Sequence, residues 1–555
     1  LDNNISLKDI LETYEQITVK NVISDSIVMF LLFGKTFLFF APIVNEPSSR
    51  PSIYLYNDDG CDFPHIMLRD ERIEDSKNFP PGNYRFVCLY EHESIVYSLV
   101  SYEDKIYDAV DRLIELLSMT QVEIEREFQK EFMFYWNNAA NGNIVNVFLT
   151  KESIFSRMNV YAGKKGTRLI ESGLQLNDID LREKNDRVWT HHIENDVFYI
   201  PITDTRGILP PHRGHAWSVE DVKNIIYGNQ VEHISSDTFQ QLQKEVVSTQ
   251  NCILVFGLNG HQAKATFAVK IKCKNGSKRT VFQKIVEDAI AIELIPTSRK
   301  DYSFLSNQIG NDIGLYGKKV LLIGAGSLGS YVALELVKNG VRSLKIYDGD
   351  ILSEENILRW AFAAFGIGMN KSKLLEIQLG MLHPEIYVEG ISSNIGSNTL
   401  SKEAKEADLI VFTIGSSDQQ LLFNRTLHNE KCNVPVLYAW LEAGGKYSHI
   451  LAVDYGKRGC YECLFTDNEG QLVNNRALLN TNDIQDNLII RNGCGGTRAA
   501  YGTTVLLRTT AALLDTIHKV LDGSITENTL INITPNNIHV SSGLIPMERC
   551  SCCGN

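Results

Sequence analysis

Residues 491–498, RNGCGGTR, set a cysteine among three glycines. Glycine has no side chain to pack around a thiol, so Cys494 is poorly suited to a core position. Three readings stay open for it: a nucleophile, a metal ligand, or a small residue in a turn. Two thiol pairs share the same part of the chain. GCYECLF holds Cys460 and Cys463, and MERCSCCGN holds Cys550 and Cys553, with Cys552 as an extra thiol. Two C-x-x-C pairs can supply four thiolates to one tetrahedral zinc ion, however far apart they lie in sequence. The competing readings are a redox pair or unrelated thiols.

A second chemistry is written in KKVLLIGAGSLGSYVALELVKNG. Gly324, Gly326 and Gly329 form G-x-G-x-x-G directly after an apolar strand and at the start of a helix. Such glycines let the chain turn tightly and approach a phosphate, while the helix aims free N–H groups at the anion. The loop alone does not distinguish NAD from ATP. Asp348 closes the next strand, where a carboxylate accepts both ribose hydroxyls of either nucleotide. Asn356 and Arg359 in DGDILSEENILRW, and Lys371 in GIGMNKSK, bear on the choice. Hydride transfer has little need for an arginine and a lysine near the phosphates. Adenylyl transfer needs them to stabilise the charge of departing pyrophosphate. Asp418, after a further strand, suits a magnesium ion bridging the phosphates. Singly, each of these charges reads better as solvated surface; their order behind one glycine loop shifts the balance toward the site.

These residues need elements to position them. The chain has 555 residues, enough for several cores, with 44% hydrophobic and 22% charged residues, as in ordinary globular proteins. A net charge of -13 argues against a nucleic-acid partner or an anionic membrane surface. SIVMFLLFGKTFLFFAP, 26–42, is broken by Gly34 and Lys35 and reads as two strands joined by a turn, not as a membrane span. LDNNISLKDI is not a signal peptide, which points to the cytosol, where the eleven cysteines are expected to be thiols or metal ligands.

The fold class read from these patterns is multidomain, α/β and α+β. Residues 1–145 form a small α+β unit, with a long helical pattern from Tyr102 to Trp136. Residues 146–298 hold the strands NCILVFGL and TFAVKIKC and a Gly/Pro/His loop, GILPPHRGHAW. His212 and His215 in that loop have no carboxylate or thiol at ligand spacing and read as polar loop. Residues 299–555 alternate strand and helix, as a largely parallel, Rossmann-like sheet does.

The C-terminal part resembles ubiquitin-activating-type adenylyltransferases of the ThiF/MoeB superfamily, most specifically over 315–470. The resemblance implies that the Gly324–Gly329 loop holds ATP and that Asp348 binds its ribose. It assigns the phosphates to Asn356, Arg359 and Lys371, magnesium to Asp418, and structural zinc to the C-x-x-C pairs. It also implies a homodimer whose subunits lend an arginine across the interface; Arg299, in SRKDYSFLSNQIG, precedes the domain where that arginine is expected.

The whole chain resembles bacterial antiphage fusions of an activating and a conjugating enzyme, including those of CBASS systems. Their N-terminal domain is ubiquitin-conjugating-like, and the middle one is a linker or an inactive adenylation-like domain. This resemblance makes Cys494, in CGG, the cysteine that takes the acyl group from the adenylate. It makes Cys88, in YRFVCLY, the second thioester cysteine, with Cys61 as the fallback. Pro64 and His65 in DFPHIM stand near where such enzymes carry H-P-N, and His65 or His92 could replace its asparagine. The implied partners are a ubiquitin-like protein or a cGAS-like nucleotidyltransferase with a glycine-ended tail, and a target protein. Rival readings are a sulfur-carrier activator, an NAD-binding redox module and a non-catalytic scaffold.

Overall fold

The computed structural model describes residues 6–554 apart from 45, 47, 58–59, 61, 68–80, 91–96, 165, 178–188, 229–230, 260–263, 275, 277, 311–313, 363–365, 480–488, 492–496 and 542–544. Its contacts divide the chain into two units. One comprises Leu1–Leu174 and Trp189–Arg299, the other Gln175–Val188 and Lys300–Asn555.

The first unit opens with a five-stranded antiparallel meander, Ile17–Ser24, Ile27–Leu32, Lys35–Phe40, Ser52–Tyr56 and Tyr84–Val87. The apolar run at 26–42 is a hairpin. Phe33 and Gly34 both take positive φ, 47° and 78°, between the paired residues Leu32 and Lys35. A two-residue turn with φ > 0 at both positions matches the right-handed twist of the flanking strands. Phe30, Phe37, Phe39, Ile53 and Val87 face the helix Tyr102–Leu117, which buries Ile106, Ala109, Val110 and Leu113 against them.

The helical pattern expected from Tyr102 to Trp136 is three helices, not one. Tyr102–Leu117 ends at Ser118, and a capping box between Thr120 and Glu123 starts Gln121–Lys130. The third, Phe132–Ala139, turns Phe132 and Trp136 into the core of the next sheet, where both pack on Phe267 at ring-centroid distances of 4.9 and 4.5 Å. The second core therefore starts before residue 146. Its eight-stranded mixed sheet runs in the order Ala289–Ile295, Lys264–Cys273, Cys252–Asn259, Thr190–Ile202, Ser156–Gly163, Gly166–Glu171, Val145–Phe148, Thr297–Arg299. Helices Val219–Tyr227 and Ser236–Lys244 add Val222, Ile225 and Leu242 to that core.

The second unit carries another eight-stranded sheet. Five parallel strands stand in the order Tyr387–Ile391, Ser343–Tyr347, Lys319–Ile323, Leu409–Phe412, Val436–Leu441. Antiparallel Ser448–Val453, Thr529–Ile533 and Ile538–Ser541 complete it. Lys319–Ile323 is buried at four of its five positions and Leu409–Phe412 throughout, which is why both read as continuous apolar runs. Chain order in the parallel half is 3-2-1-4-5. Its direction reverses between Lys319–Ile323 and Leu409–Phe412, and the carboxyl ends flanking such a reversal open a crevice for ligands. Among the described residues no helix is long and apolar enough to cross a membrane.

Candidate functional site

The glycine loop leaves strand Lys319–Ile323 at that crevice, and its three glycines do three different jobs. Gly324 takes φ +103°, a region that L side chains rarely adopt. Gly329 lies so close to the Gly324 carbonyl oxygen that a Cβ would overlap it, and that Cβ would also stand 2.7 Å from Thr413 Oγ1. Gly326 faces open space, with nothing within 4 Å of a Cβ. Its residue caps the helix Ser327–Lys338 without a side chain, leaving the first N–H groups of that helix uncovered by one. The outcome is a bare backbone surface at a helix N-terminus, suited to an anion. Two bonds brace the loop from behind: Thr413 Oγ1 donates to Gly324 O at 2.8 Å, and Trp360 Nε1 to Ala325 O at 2.9 Å.

Beside it lies a cavity of about 310 Å3, lined among others by Gly324, Gly326, Asp348, Asp350, Thr413 and Ser416. Asp348 Oδ2 accepts the Ala325 N–H at 2.6 Å and Oδ1 the Asp350 N–H at 2.8 Å. Burial raises its pKa above the ordinary carboxylate value, and the two N–H donors act against that rise. Each oxygen keeps a lone pair for a further donor, such as a ribose hydroxyl. Lys371 is 8% exposed and opens the helix Lys371–Gly380. A cation at a helix N-terminus opposes the macrodipole. Asp350 offsets this, with its Oδ2 2.9 Å from Lys371 Nζ. The structure thus brings together the glycine loop, Asp348 and, through Asp350, Lys371.

The other expected residues are placed differently. Asn356 spends its side-chain oxygen on a capping box with Ser353, at 3.3 Å from the Ser353 N–H. Arg359, in the same short helix, lies 5.1 Å from the Tyr501 ring. Asp418 is exposed in the first turn of helix Ser417–Asn429, whose neighbours Ser416 and Gln419 line the cavity. Arg299 departs from expectation. It is 7% exposed, and its Nη2 lies 2.6 Å from Glu152 Oε1 within the first unit. That pairing holds the guanidinium within its own chain. Asp350, Thr413 and Trp360 were missed in the sequence. Only Asp350 carried a signal, as the second aspartate of DGD at a strand end.

Sγ atoms of Cys460, Cys463, Cys550 and Cys553 lie within 4.8 Å of one another, the one such metal-capable group among the described residues. Cys460 and Cys550 are 3.8 Å apart, and Cys463 and Cys553 3.4 Å. A tetrahedral zinc ion bound at about 2.3 Å sets its sulfurs roughly 3.8 Å apart, so the four thiols fit zinc. They are too far apart for disulfides. Gly554 belongs to the knuckle: its N–H bonds Cys550 O at 2.8 Å, and a Cβ there would lie 2.5 Å from that oxygen. Among the described residues His212 and His215 join no group of three or more metal-capable side chains; each pairs with a carboxylate, Asp62 and Asp221. His212 Nδ1 meets Asp62 Oδ2 at 2.6 Å and its ring stacks on Phe128.

Cys88 is the first residue beyond strand Tyr84–Val87 and is exposed. It borders a groove of about 900 Å3 shared with His65, Tyr90, Arg112, Glu127 and Glu131. The Cys88 N–H bonds His65 O at 2.7 Å. His65 itself has φ +63°, its N–H bonds Tyr135 Oη at 2.8 Å, and its ring lies 3.4 Å from Glu131 and 3.6 Å from Glu127. The Glu131 carboxylate, foremost, raises the His65 pKa against the opposing effect of burial. Cys494, Cys61 and His92 lie outside the described residues.

A sheet with a ligand crevice at its point of reversal and a bare glycine loop mark a nucleotide-binding region, beside four thiols whose spacing fits a metal ion. Residues 314–553 match the ThiF family, and this part of the chain is a ThiF-family nucleotide-binding region. The sulfur carrier protein ThiS adenylyltransferase of Escherichia coli K12 is 29% identical over 181 residues, covering 31% of this chain and 70% of that protein. The ATP-dependent ubiquitin transferase-like protein Cap2 of Vibrio cholerae is 28% identical over 246 residues, 42% of this chain and 41% of its own length. Cap2 of Enterobacter hormaechei is 35% identical over 114 residues, 20% and 18%. The chain thus spans less than half of either Cap2 protein.

Proposed function

We propose that the second unit binds ATP in the crevice and adenylates the C-terminal carboxylate of a small carrier or ubiquitin-like protein. The observation that carries this reading is the cavity itself, where an open glycine loop, a carboxylate with both oxygens oriented and a lysine–aspartate pair converge. Asp348 accepts the ribose hydroxyls. The Gly326 backbone and the helix behind it hold the phosphates, with Lys371 beside them through Asp350; the family resemblance adds Arg359 and Asn356 as further phosphate contacts, which the cavity lining does not include. Asp418 would hold a magnesium ion through its carboxylate, and that ion would supply positive charge to the departing pyrophosphate. A carboxylate oxygen of the partner's tail attacks the α-phosphorus and the bond to the β-phosphate oxygen breaks. Acyl-adenylate and pyrophosphate result. The backbone N–H groups of the loop and the Lys371 ammonium stabilise charge as it builds on the leaving group.

The acyl group then passes to Cys494. Its thiolate attacks the carbonyl carbon, a thioester forms and AMP leaves. Transfer to the Cys88 thiolate follows, and an amine of the target displaces that thiolate. The exposure of Cys88 in an open groove supports this second cysteine. The 29% identity spread over most of the ThiS adenylyltransferase supports a shorter reading, in which the reaction stops at activation of a sulfur carrier.

Partner-dependent ATP–pyrophosphate exchange tests the first step, and an NAD-binding module shows none. Non-reducing electrophoresis with ATP, magnesium and the partner tests the relay in wild type, Cys494→Ala and Cys88→Ala. The relay predicts a thiol-sensitive adduct lost in Cys494→Ala and arrested before final conjugation in Cys88→Ala. Exchange without any adduct leaves only the sulfur-carrier reading.

A further inference from the structure

One helix touches both the nucleotide cavity and the four-cysteine knuckle. Ser417–Asn429 begins at the crevice, where Ser416 caps it by accepting the Gln419 N–H, and Ser416, Gln419 and Phe423 line the cavity. In the same turn Gln420, 1% exposed, donates from Nε2 to Ile414 O at 2.6 Å, tying the helix to the segment that carries Thr413 just beyond strand Leu409–Phe412.

The middle of the same helix is fastened to the knuckle. Asn424 is fully buried. Its Oδ1 accepts the Tyr461 N–H at 3.0 Å and the Tyr455 hydroxyl at 3.1 Å. Its Nδ2 faces Cys460 Sγ at 3.5 Å and Cys552 Sγ at 3.4 Å. Arg425 forks onto Glu462, with Nε 2.6 Å from Oε2 and Nη2 3.0 Å from Oε1. The same Nη2 reaches Ser551 Oγ at 3.1 Å, and Ser551 in turn bonds Glu462. Tyr461, Glu462 and Ser551 all lie between paired metal-ligand cysteines. Two adjacent helix residues thus hold both C-x-x-C loops, whose relative position the four thiols fix.

We infer that Asn424 and Arg425 are positioning residues that couple occupancy of the four-cysteine site to nucleotide affinity, through the helix Ser417–Asn429. The inference rests on the ATP-binding reading given above. Metal bound to the thiols locks loops 460–463 and 550–553 together. The locked loops hold Asn424 and the Arg425 fork, and these hold the first helical turn against the cavity. Loss of the metal separates the loops and lets that turn shift. A bidentate guanidinium–carboxylate pair is directional enough to carry such a constraint. The coupling is reciprocal: ATP must raise metal affinity by the factor by which metal raises ATP affinity.

The test uses the full chain, with zinc content measured by atomic emission and Mg-ATP affinity by calorimetry. Arg425→Ala and Asn424→Ala are expected to retain zinc on their four thiolates yet bind ATP about tenfold more weakly, within the usual range of coupling between sites. Arg425→Lys keeps a charge opposite Glu462 but loses the fork, and should recover only part of that loss. In wild type, saturating ATP should lower the zinc dissociation constant by a matching factor in competition with a chromophoric chelator. This arm needs no variant, so it decides the matter even where a substitution unfolds the chain. Zinc-loaded Arg425→Ala and Asn424→Ala that bind ATP as wild type does, or a zinc affinity indifferent to ATP, overturn the coupling alone. A wild type that binds no ATP overturns the ATP-binding reading, and the coupling with it.

Discussion

The three glycines of the loop make separable demands, so two single-methyl substitutions should fail in opposite ways. Gly326 has φ -70° and ψ -158°, an extended conformation open to alanine, and its Cβ would meet nothing within 4 Å. Gly326→Ala should therefore keep the fold, with a stability change within about 0.5 kcal/mol. The methyl would occupy the open face against which a phosphate rests. A loss of about 1.4 kcal/mol or more of nucleotide binding, roughly tenfold or more in affinity, is expected. Gly329 is the converse case. A Cβ there overlaps the Gly324 carbonyl oxygen and crowds Thr413 Oγ1 at 2.7 Å, atoms already hydrogen-bonded to each other. Relief requires the helix Ser327–Lys338 to move off the sheet, and overpacking of this kind costs about 1–3 kcal/mol. At about 2–4 °C per kcal/mol for a unit near this size, the melting temperature should fall by several degrees. Thermal melts and Mg-ATP calorimetry on both variants separate the outcomes. Wild-type ATP affinity in Gly326→Ala would refute the placement of phosphates on that face. An unchanged melting temperature in Gly329→Ala would refute the close-approach argument.

Asp348→Asn keeps one oxygen for the Ala325 or Asp350 N–H but loses the second acceptor and the charge, so ATP affinity should fall about tenfold or more while the far-ultraviolet circular dichroism stays native. Cys463→Ser should lower bound zinc well below that of wild type, as read by atomic emission, and lower the melting temperature of the second unit, because metal binding contributes to folding. Glu385 gives a pH-dependent prediction. Burial pushes its carboxyl from 4.5 up to about 7, against the Tyr302 N–H bond at 2.9 Å. A raised carboxyl favours the neutral form in the folded state. Its contribution is fully present below the unfolded pKa of 4.5 and is lost as pH rises through about 7. The shift amounts to roughly 3 kcal/mol. Glu385→Gln, whose carbonyl can still accept the Tyr302 N–H, should match wild type near pH 4 and melt at a higher temperature near pH 8; parallel melting curves across that range would oppose the assignment.

Features set by a few neighbouring residues were legible in the sequence itself. An apolar strand, glycines at fixed offsets and a helix dictate a phosphate loop, because backbone sterics act over only a few residues. Each C-x-x-C spacing sets two thiols close together for the same reason, half of a four-thiol cluster. Gly34 marks a hairpin turn, although the turn is Phe33–Gly34 and Lys35, read as part of the break, already belongs to the next strand. The tertiary structure alone decided which of these pieces meet. Cys460 and Cys463 come to Cys550 and Cys553 only because the sheet carries both loops to one place. Thr413 and Trp360 brace the glycine loop from strand and turn segments far along the chain, and no local pattern marks them. The helical periodicity from Tyr102 to Trp136 is real, but the caps at Ser118 and Thr120 divide it, and Phe132 and Trp136 pack where an apolar surface is available. Charge is the plainest case. Arg299, Lys371 and Asp418 look alike in a sequence. Burial beside Glu152, burial beside Asp350 and exposure at the surface make them three different residues, because the free energy of a charge is set by the water it loses and the partner it gains.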